Sequence, residues 1–233
     1  ETVSVNQRNN SGVFCCASVF LASKVNDYIG GFIQWSYDNL ATTADGTLGG
    51  HSGIDNADIR IVGKYAAEGA AEPDWIYGAT LHNNPTVQDA WNSPPAFGFP
   101  YTASSLASTP AAATIIDGGL AQQVAGIGGY VFWKKTLYGE LSFYRTADGA
   151  FSILRQGQDT HTDGGVAALK GYNPYWRVAY NHEWGPNSVM VGTYGMTVDR
   201  YPSNFDPSTP TDHFRDIAVD AQYQYITDPH VFT

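Results

Sequence analysis

The chain has 233 residues, with 12 Lys and Arg against 22 Asp and Glu, which gives a formal net charge of −10. Charged residues make up only 15% of the chain, aromatic residues make up 14%, and 25 residues are glycine. This aromatic content excludes a disordered chain, and the length suffices for one large β domain. The acidic balance argues against nucleic acid as a partner, because nucleic-acid binding needs a basic surface. No stretch approaches the roughly 18 consecutive apolar residues of a membrane-spanning helix.

Motifs for cofactors, metals and catalysis are absent from the sequence. The two cysteines, Cys15 and Cys16, are adjacent, and neither the CxxCH haem motif nor a CxxC pair occurs. Residues 50–53 do not form a GxSxG nucleophile elbow, and His182 has no second histidine one helical turn later. We therefore expect no catalytic, cofactor-binding or metal-binding residues and no cofactor.

Runs of alternating polar and apolar residues predict β-strands along most of the chain. The clearest run covers residues 175–184, and it separates an apolar face from a polar one that contains Arg177, Asn181 and Glu183. Two short terminal segments, 2–5 and 231–233, have the pattern of partial strands. In chain order the complete runs cover residues 13–25, 33–37, 56–61, 75–82, 124–133, 137–143, 175–184, 189–200 and 215–225.

The connections between these runs alternate between short and long. In an up-and-down meander every second connection lies at the same end, so one end of the sheet has short turns and the other has long loops. Bacterial outer-membrane barrels show this asymmetry. The loop at 84–121 is long enough either to fold inward as a constriction or to cover the rim as a cap. The short connections are 26–27, 66–74, 134–135, 185–187 and 227–229, and the long ones are 39–54, 84–121, 145–172 and 201–213.

The sequence thus predicts an all-β fold, an antiparallel up-and-down transmembrane β-barrel, with residues 1–233 as a single domain of about ten strands. Runs of about ten residues match a tilted membrane-crossing strand better than the shorter strands of a soluble β-sandwich, which is the competing fold. Because nine complete strands is an odd number, two alternatives remain open. Either the terminal segments align as a composite tenth strand, or the chain is part of a larger barrel and incomplete at both ends.

Aromatic residues gather beside the short connections, where we expect a girdle at one membrane interface formed by Tyr28, Trp75, Trp133, Tyr138, Trp184 and Tyr225. The polar faces would line the lumen with charges of both signs, namely Asp58, Arg60, Glu140, Arg177, Glu183, Asp216 and Asp220. Opposing charges could orient small polar solutes, or they could pair with one another and close the interior. Both alternatives stay open.

Three segments resemble a porin-like family of Gram-negative outer-membrane β-barrels. Residues 83–101 (NNPTVQDAWNSPPAFGFPY) look like a loop motif of this family, and residues 18–25 with 31–38, together with 55–60, resemble its early strands. Members are commonly labelled cytochrome-like because a CxxCH segment precedes their barrel; this sequence has no such segment, so no haem is implied. The resemblance implies a bacterial outer membrane, with its lipid and lipopolysaccharide as surroundings.

The function that we expect is not enzymatic. It is passive passage of small polar solutes or ions through a porin-like barrel, or a scaffold role for the barrel in an envelope complex. Two alternatives of other kinds remain. One is a barrel that acts as a sleeve for a c-type cytochrome partner in electron transfer; the other is a secreted, aromatic-rich β-sandwich that binds glycans or hydrolyses glycosides.

Overall fold

Ten β-strands form one antiparallel sheet in which each strand pairs with its neighbours in the sequence. The computed structural model describes residues 16–38, 51–85, 90–91, 114–120, 122–155, 167–203, 206, 208–227 and 230–232. A π-helical turn (Ile115–Gly119) precedes β5, and a 3-10 helix (Gly149–Leu154) follows β6. The strands are β1 (Cys16–Lys24), β2 (Ile29–Asp38), β3 (His51–Tyr65), β4 (Trp75–His82), β5 (Val124–Trp133), β6 (Leu137–Thr146), β7 (Asn173–Trp184), β8 (Asn187–Arg200), β9 (Asp212–Thr227) and β10 (His230–Phe232).

The predicted all-β, antiparallel, up-and-down fold is confirmed by this strand order. The partial strand predicted at 231–233 corresponds to β10, which pairs with the end of β9. The segment predicted at 2–5 lies outside the described residues. Among the described residues, no pairing joins β1 to β9 or to β10, so the described sheet does not close into the predicted barrel. None of the helices in the described ranges is long and apolar enough to cross a membrane.

The short and long connections alternate as the sequence predicts. One end of the sheet, here called the tight-turn end, holds the strand ends that are joined by residues 25–28, 66–74, 134–136, 185–186 and 228–229. The other, the long-loop end, holds the strand ends that are joined by residues 39–50, 83–123, 147–172 and 201–211. The largest difference from a predicted boundary is the start of β3 at His51, because a bulge opposite Gln34 and Trp35 shifts the register and residues 51–54 continue to pair with β2. The extra residue interrupts the alternation, which hides this part of the strand in the sequence.

Strand alternation gives the sheet a buried inner face that is largely polar and an exposed outer face that is largely apolar. In β6, Glu140 and Ser142 are buried, whereas Leu141 and Phe143 are exposed. Soluble antiparallel sheets have the opposite arrangement, with apolar side chains buried and polar ones in water. The exposed apolar side chains on the outer face include Ile59, Ile61, Trp75, Tyr77, Ile127, Leu137, Leu141, Phe143, Trp176, Val178, Tyr180, Val191, Ile217, Val219 and Tyr223.

The apolar core of the described residues consists of three separate clusters. Two lie on the inner face: one packs the π-helical turn against β5 to β9 at the long-loop end, and the other surrounds Tyr138 and Met190 near the tight-turn end. The third packs the 3-10 helix against Ala57 and Ala125, which occupy outer-face positions of β3 and β5. Alanines at these positions leave room for the 3-10 helix, which lies over the outside of the sheet at its long-loop end.

The strands are staggered along the sheet. One hydrogen-bonded row runs from Lys24, the last residue of β1, to Asp216, which lies eleven residues before the end of β9. With about 3.3 Å per residue and about 4.8 Å per strand, eleven residues over eight strand-to-strand steps correspond to a strand tilt of about 40°. Closed β-barrels have tilts of about 35–45°.

Candidate functional site

The most buried charged side chain of the described residues is Arg177, on the inner face of β7. It is fully buried, and its two terminal nitrogens donate to the carboxylate of Asp220 on β9 at 3.2 and 2.9 Å. Its guanidinium also lies over the rings of Trp91 and Tyr194, with centroid distances of 5.4 and 5.2 Å. A bidentate partner and two aromatic faces replace the water that this cation would otherwise hold.

Trp91, from the long connection between β4 and β5, lies deep against the inner face. Its ring packs edge-on to Tyr138 and Phe132 at centroid distances of 5.3 and 5.7 Å. Both residues align with Ile76, six residues before the end of β4 at His82. Six residues span about 20 Å along a strand. Trp91 therefore lies on the inner face about 20 Å from the long-loop end of β4, close to the tight-turn end.

The π-helical turn, which belongs to the same connection, lies against the inner face at the long-loop end. The amide of Ile116 donates to the carboxylate of Asp216 on β9 at 3.0 Å, and Leu120 is fully buried. Trp91 and the π-helical turn, two described parts of this connection, therefore both lie against the inner face.

Glu140 lies on the inner face of β6, between the contacts of Trp91 and those of the π-helical turn. The hydroxyl groups of Tyr138 and Ser142 donate to its two carboxylate oxygens at 2.8 and 2.9 Å. Its register partners on the adjacent strands are Tyr130 and Arg177. The carboxylate is thus held by fixed hydroxyl donors next to the buried arginine, which offsets the cost of burying its charge.

A second polar network joins β3, β4 and β6. Arg60 forms an ion pair with Asp58, and the hydroxyl of Thr80 lies 3.4 Å from the same carboxylate. Thr80 also contacts the Nδ1 atom of His82 at 2.7 Å, and the Nε2 atom of this histidine contacts the hydroxyl of Tyr144. These side chains occupy consecutive inner-face positions, as the alternation requires, and they bond mainly to one another.

An aromatic bridge connects the two arginines across the inner face. Arg60 lies over the ring of Tyr130 at 5.6 Å, and Tyr130 stacks on Tyr138 with a centroid distance of 6.2 Å. Tyr138 contacts Trp91, which in turn lies against Arg177. The bridge separates a filled half of the inner face, over β5 to β9, from an open half, over β1 and the tight-turn ends of β2 and β3. Towards the long-loop end of β2 and β3, Gln34 and Asn56 are buried.

The open half contains a pocket at the tight-turn end. Its inner-face walls come from Lys24 of β1 and from Arg60, Val62 and Lys64 of β3, and Gly30 of β2 forms its floor between them. The rest of its lining comes from the turn at 26–29. None of the described residues of the long connections lines this pocket.

All seven residues predicted to line the lumen occupy inner-face positions, and their role in passage stays a prediction. The structure brings Asp58 to Arg60 and Arg177 to Asp220, whereas Asp216 bonds to the π-helical turn. Glu183 lies apart from them, exposed near the tight-turn end, where it accepts a hydrogen bond from Asn181. Sequence reasoning missed Trp91, Lys24 and Lys64. Lys24 lies an even number of residues from Phe20, and Lys64 an even number from Arg60, so strand alternation could have placed both lysines on the inner face. Nothing in the local sequence of Trp91 indicates a distant contact.

The predicted girdle needs one correction. Trp75, Trp133 and Trp184 are exposed on the outer face beside the tight-turn end, Tyr28 is exposed in the first turn, and Tyr225 is half-buried at an outer-face position. Tyr138 is different, since only 5% of its surface is exposed. It follows Leu137, which points outward, so the strand alternation turns Tyr138 to the inner face. Tyr138 therefore belongs to the aromatic bridge.

Both ends of the sheet carry exposed charged groups. Lys135 in the turn after β5 binds Glu72, and this hydrogen bond raises the pKa of the lysine. In the loop after β8, hydrogen bonds from the hydroxyl and the amide of Ser208 lower the pKa of Asp206. The apolar outer face thus lies between two polar rims. Further exposed pairs at the rims are Lys24 with Asp27, Lys134 with Asp74, Arg145 with Asp148, and His213 with Asp199.

Within the described ranges, no group of three or more His, Cys, Asp and Glu side chains is placed to hold a metal ion. Comparison with protein-family models, with curated proteins and with solved structures found no match to this chain. The arrangement of its own side chains is therefore the basis for assigning a function.

Proposed function

We propose that the chain forms the membrane-spanning wall of a porin-like β-barrel in a bacterial outer membrane and lets small polar solutes or ions pass along its inner face. The observation on which the proposal depends is the reversal of polarity across the sheet, with polar side chains buried inside and apolar ones exposed outside. Such an outer face is stable in lipid, because its apolar side chains then contact acyl chains and not water.

Strand geometry supports the same proposal. The nine long strands contain 8 to 16 residues, and a strand tilted by about 45° needs about 9 to 11 residues to cross a membrane. The stagger across the sheet corresponds to a tilt in the same range. Short turns at one end and long loops at the other match the periplasmic and extracellular ends of outer-membrane barrels. The exposed tryptophans beside the tight turns match an interfacial girdle.

A charged substitution on the outer face tests whether that face contacts lipid. Val219 is 81% exposed and lies six residues from Tyr225, so in a membrane its position is near the midplane. Val219→Arg should reduce the free energy of unfolding from bilayers by about 2–4 kcal/mol, whereas Leu137→Arg, at the tight-turn end, should cost about 0–1 kcal/mol. In a water-soluble protein both substitutions would stay within about 0.5 kcal/mol, and that result would exclude the membrane proposal.

Passage is tested separately by reconstituting the purified chain in planar bilayers. Stepwise conductance in potassium chloride is expected, with heat-modifiable migration on gels as the check that the inserted protein is folded. Folded, membrane-inserted protein without conductance would contradict passage while leaving the membrane location intact.

A second candidate function, a scaffold barrel without passage, is favoured by the filled half of the inner face. There the Arg177 ion pair, Trp91 and the π-helical turn occupy the concave side. The conductance measurement separates the two candidates, because a scaffold whose interior is closed by ion pairs and loop contacts conducts no ions.

A further inference from the structure

The pocket in the open half is surrounded by cations. Lys24, Arg60 and Lys64 contribute to its lining, and Asp27 is its one acid among the described residues. Lys24 pairs with Asp27, and Arg60 pairs with Asp58. Lys64 forms no ion pair with any described residue. The pocket therefore has one more positive charge than the acids that neutralise it, in a chain whose formal net charge is −10.

Arg60 is oriented as well as charged. Asp58 binds two nitrogens of its guanidinium, and the ring of Tyr130 lies beneath the same group. Only 30% of the side chain is exposed, so its position is restricted. A guanidinium that is held in place loses little conformational entropy when it binds a carboxylate or a phosphate.

The floor of the pocket is a glycine that packing does not require. A Cβ atom built on Gly30 would meet only the carbonyl oxygen of Ser23, at the ordinary contact distance of 3.6 Å. The register partners of Gly30 are Lys24 on one side and Arg60 on the other. The missing side chain therefore leaves space between two cations. Glycine within a strand weakens it and often marks a position where a ligand approaches closely.

We propose that this pocket binds small anions with a carboxylate or phosphate group, held by Lys24, Arg60 and Lys64 over Gly30. In a conducting barrel it makes anions pass in preference to cations, a consequence that rests on the proposed function. The binding itself does not depend on passage, so the two claims can fail separately.

Inorganic phosphate is the first probe, because it separates free anions from lipid headgroups when the protein is kept in a phosphate-free maltoside detergent. Equilibrium dialysis with radiolabelled phosphate should show saturable binding to the full chain. Lys64→Gln should weaken it about tenfold, the equivalent of one charge-assisted contact. Gly30→Leu, which fills the floor, should abolish it, and near-ultraviolet circular dichroism checks that this variant is folded.

Lys134→Gln is the matched control, because Lys134 lies at the same end of the sheet but against Trp133 on the outer side. It should leave phosphate binding unchanged. Equal losses in Lys64→Gln and Lys134→Gln, or no saturable binding by the unchanged protein, would overturn the proposal.

Reversal potentials in a potassium chloride gradient form the second arm. Chloride preference that decreases in Lys64→Gln and persists in Lys134→Gln is the expected result. Cation preference in the unchanged protein would overturn the proposed anion selectivity while leaving passage intact, and the phosphate measurements decide on the site itself. Phosphate binding without any conductance would instead refute the proposed passage and support the site.

Discussion

The open and filled halves of the inner face are built by the same strand alternation but differ in what lies against them. In the filled half, Arg177 and Glu140 are buried, Trp91 lies over the guanidinium of Arg177, and the π-helical turn packs against the long-loop ends of β5 to β9. In the open half, Lys24 and Lys64 are exposed and line a pocket. Alternation alone thus decides which residues face inward. The connection between β4 and β5 decides which of these inward positions are buried by protein.

Substitution of an ion-paired residue should give the largest difference in the free energy of unfolding between the two halves. Removing one partner of a buried pair leaves the other charge without compensation, which typically costs about 3–5 kcal/mol. Arg177→Met should lower the free energy of unfolding by about this amount, because the pair with Asp220 is closed off by Trp91 and Tyr194. Lys24→Met in the open half should cost about 0–1 kcal/mol, since Lys24 and Asp27 are both exposed. Denaturant titration of the two variants measures the difference.

The double variant Arg177→Met with Asp220→Leu separates charge from packing. If the loss in Arg177→Met comes from the uncompensated carboxylate, removing that carboxylate should restore most of the stability. A double variant as unstable as the single one would mean that the arginine acts mainly by filling space between β7 and β9.

Truncation of an aromatic side chain should give the next largest difference in stability between the two halves. Trp91→Ala removes the ring that contacts Tyr138, Phe132 and Arg177, and should cost about 1.5–3 kcal/mol. Phe20→Ala in the open half should cost less than about 1 kcal/mol, because Phe20 is 54% exposed and contacts Phe32 at a centroid distance of 6.3 Å. Similar losses in thermal or denaturant unfolding would show that the two halves are equally packed and would break the comparison.

The period of two in the sequence was sufficient to predict the faces of most strands. It places Asp58 and Arg60 on one side of β3 and Ile59 and Ile61 on the other, because successive side chains on a strand point in opposite directions. The same rule, applied to Leu137 and its neighbours, assigns Tyr138 to the inner face. The proximity of Tyr138 to a turn favoured a place in the girdle, but strand alternation is the stronger constraint. An outward Tyr138 would turn all the other side chains of β6 to the opposite face.

Contacts between distant segments were beyond the reach of the local pattern. Trp91 lies in a connection without regular alternation, and its partners Tyr138 and Arg177 follow 47 and 86 residues later in the chain. The bulge opposite Gln34 hides the start of β3 for a related reason, because one unpaired residue exchanges the two faces. The pairing of Arg177 with Asp220 crosses β8 over Gly192, where a Cβ atom would lie 2.7 Å from the carboxylate and 2.9 Å from the guanidinium, and no single strand encodes it.

Two glycines in the same hydrogen-bonded row give the finest test of the comparison. Gly30 in the open half and Gly128 in the filled half are linked through Arg60 and Thr80. A Cβ atom on Gly128 would lie 1.9 Å from the hydroxyl oxygen of the buried Ser142 and 2.9 Å from a backbone carbonyl oxygen of β6. Gly128→Ala should therefore cost about 1–3 kcal/mol through overpacking.

Gly30→Ala should be neutral or should stabilise the protein by up to about 1 kcal/mol, because the added methyl group makes only an ordinary contact with the carbonyl oxygen of Ser23 and alanine restricts the unfolded chain. Each variant adds one methyl group at a glycine of the same row. The difference between their changes in the free energy of unfolding therefore reports how tightly each glycine is packed. Parallel denaturant titrations measure it. Destabilisation of Gly30→Ala comparable to that of Gly128→Ala would mean that protein groups fill the open half as well, and that its pocket has no room for a solute.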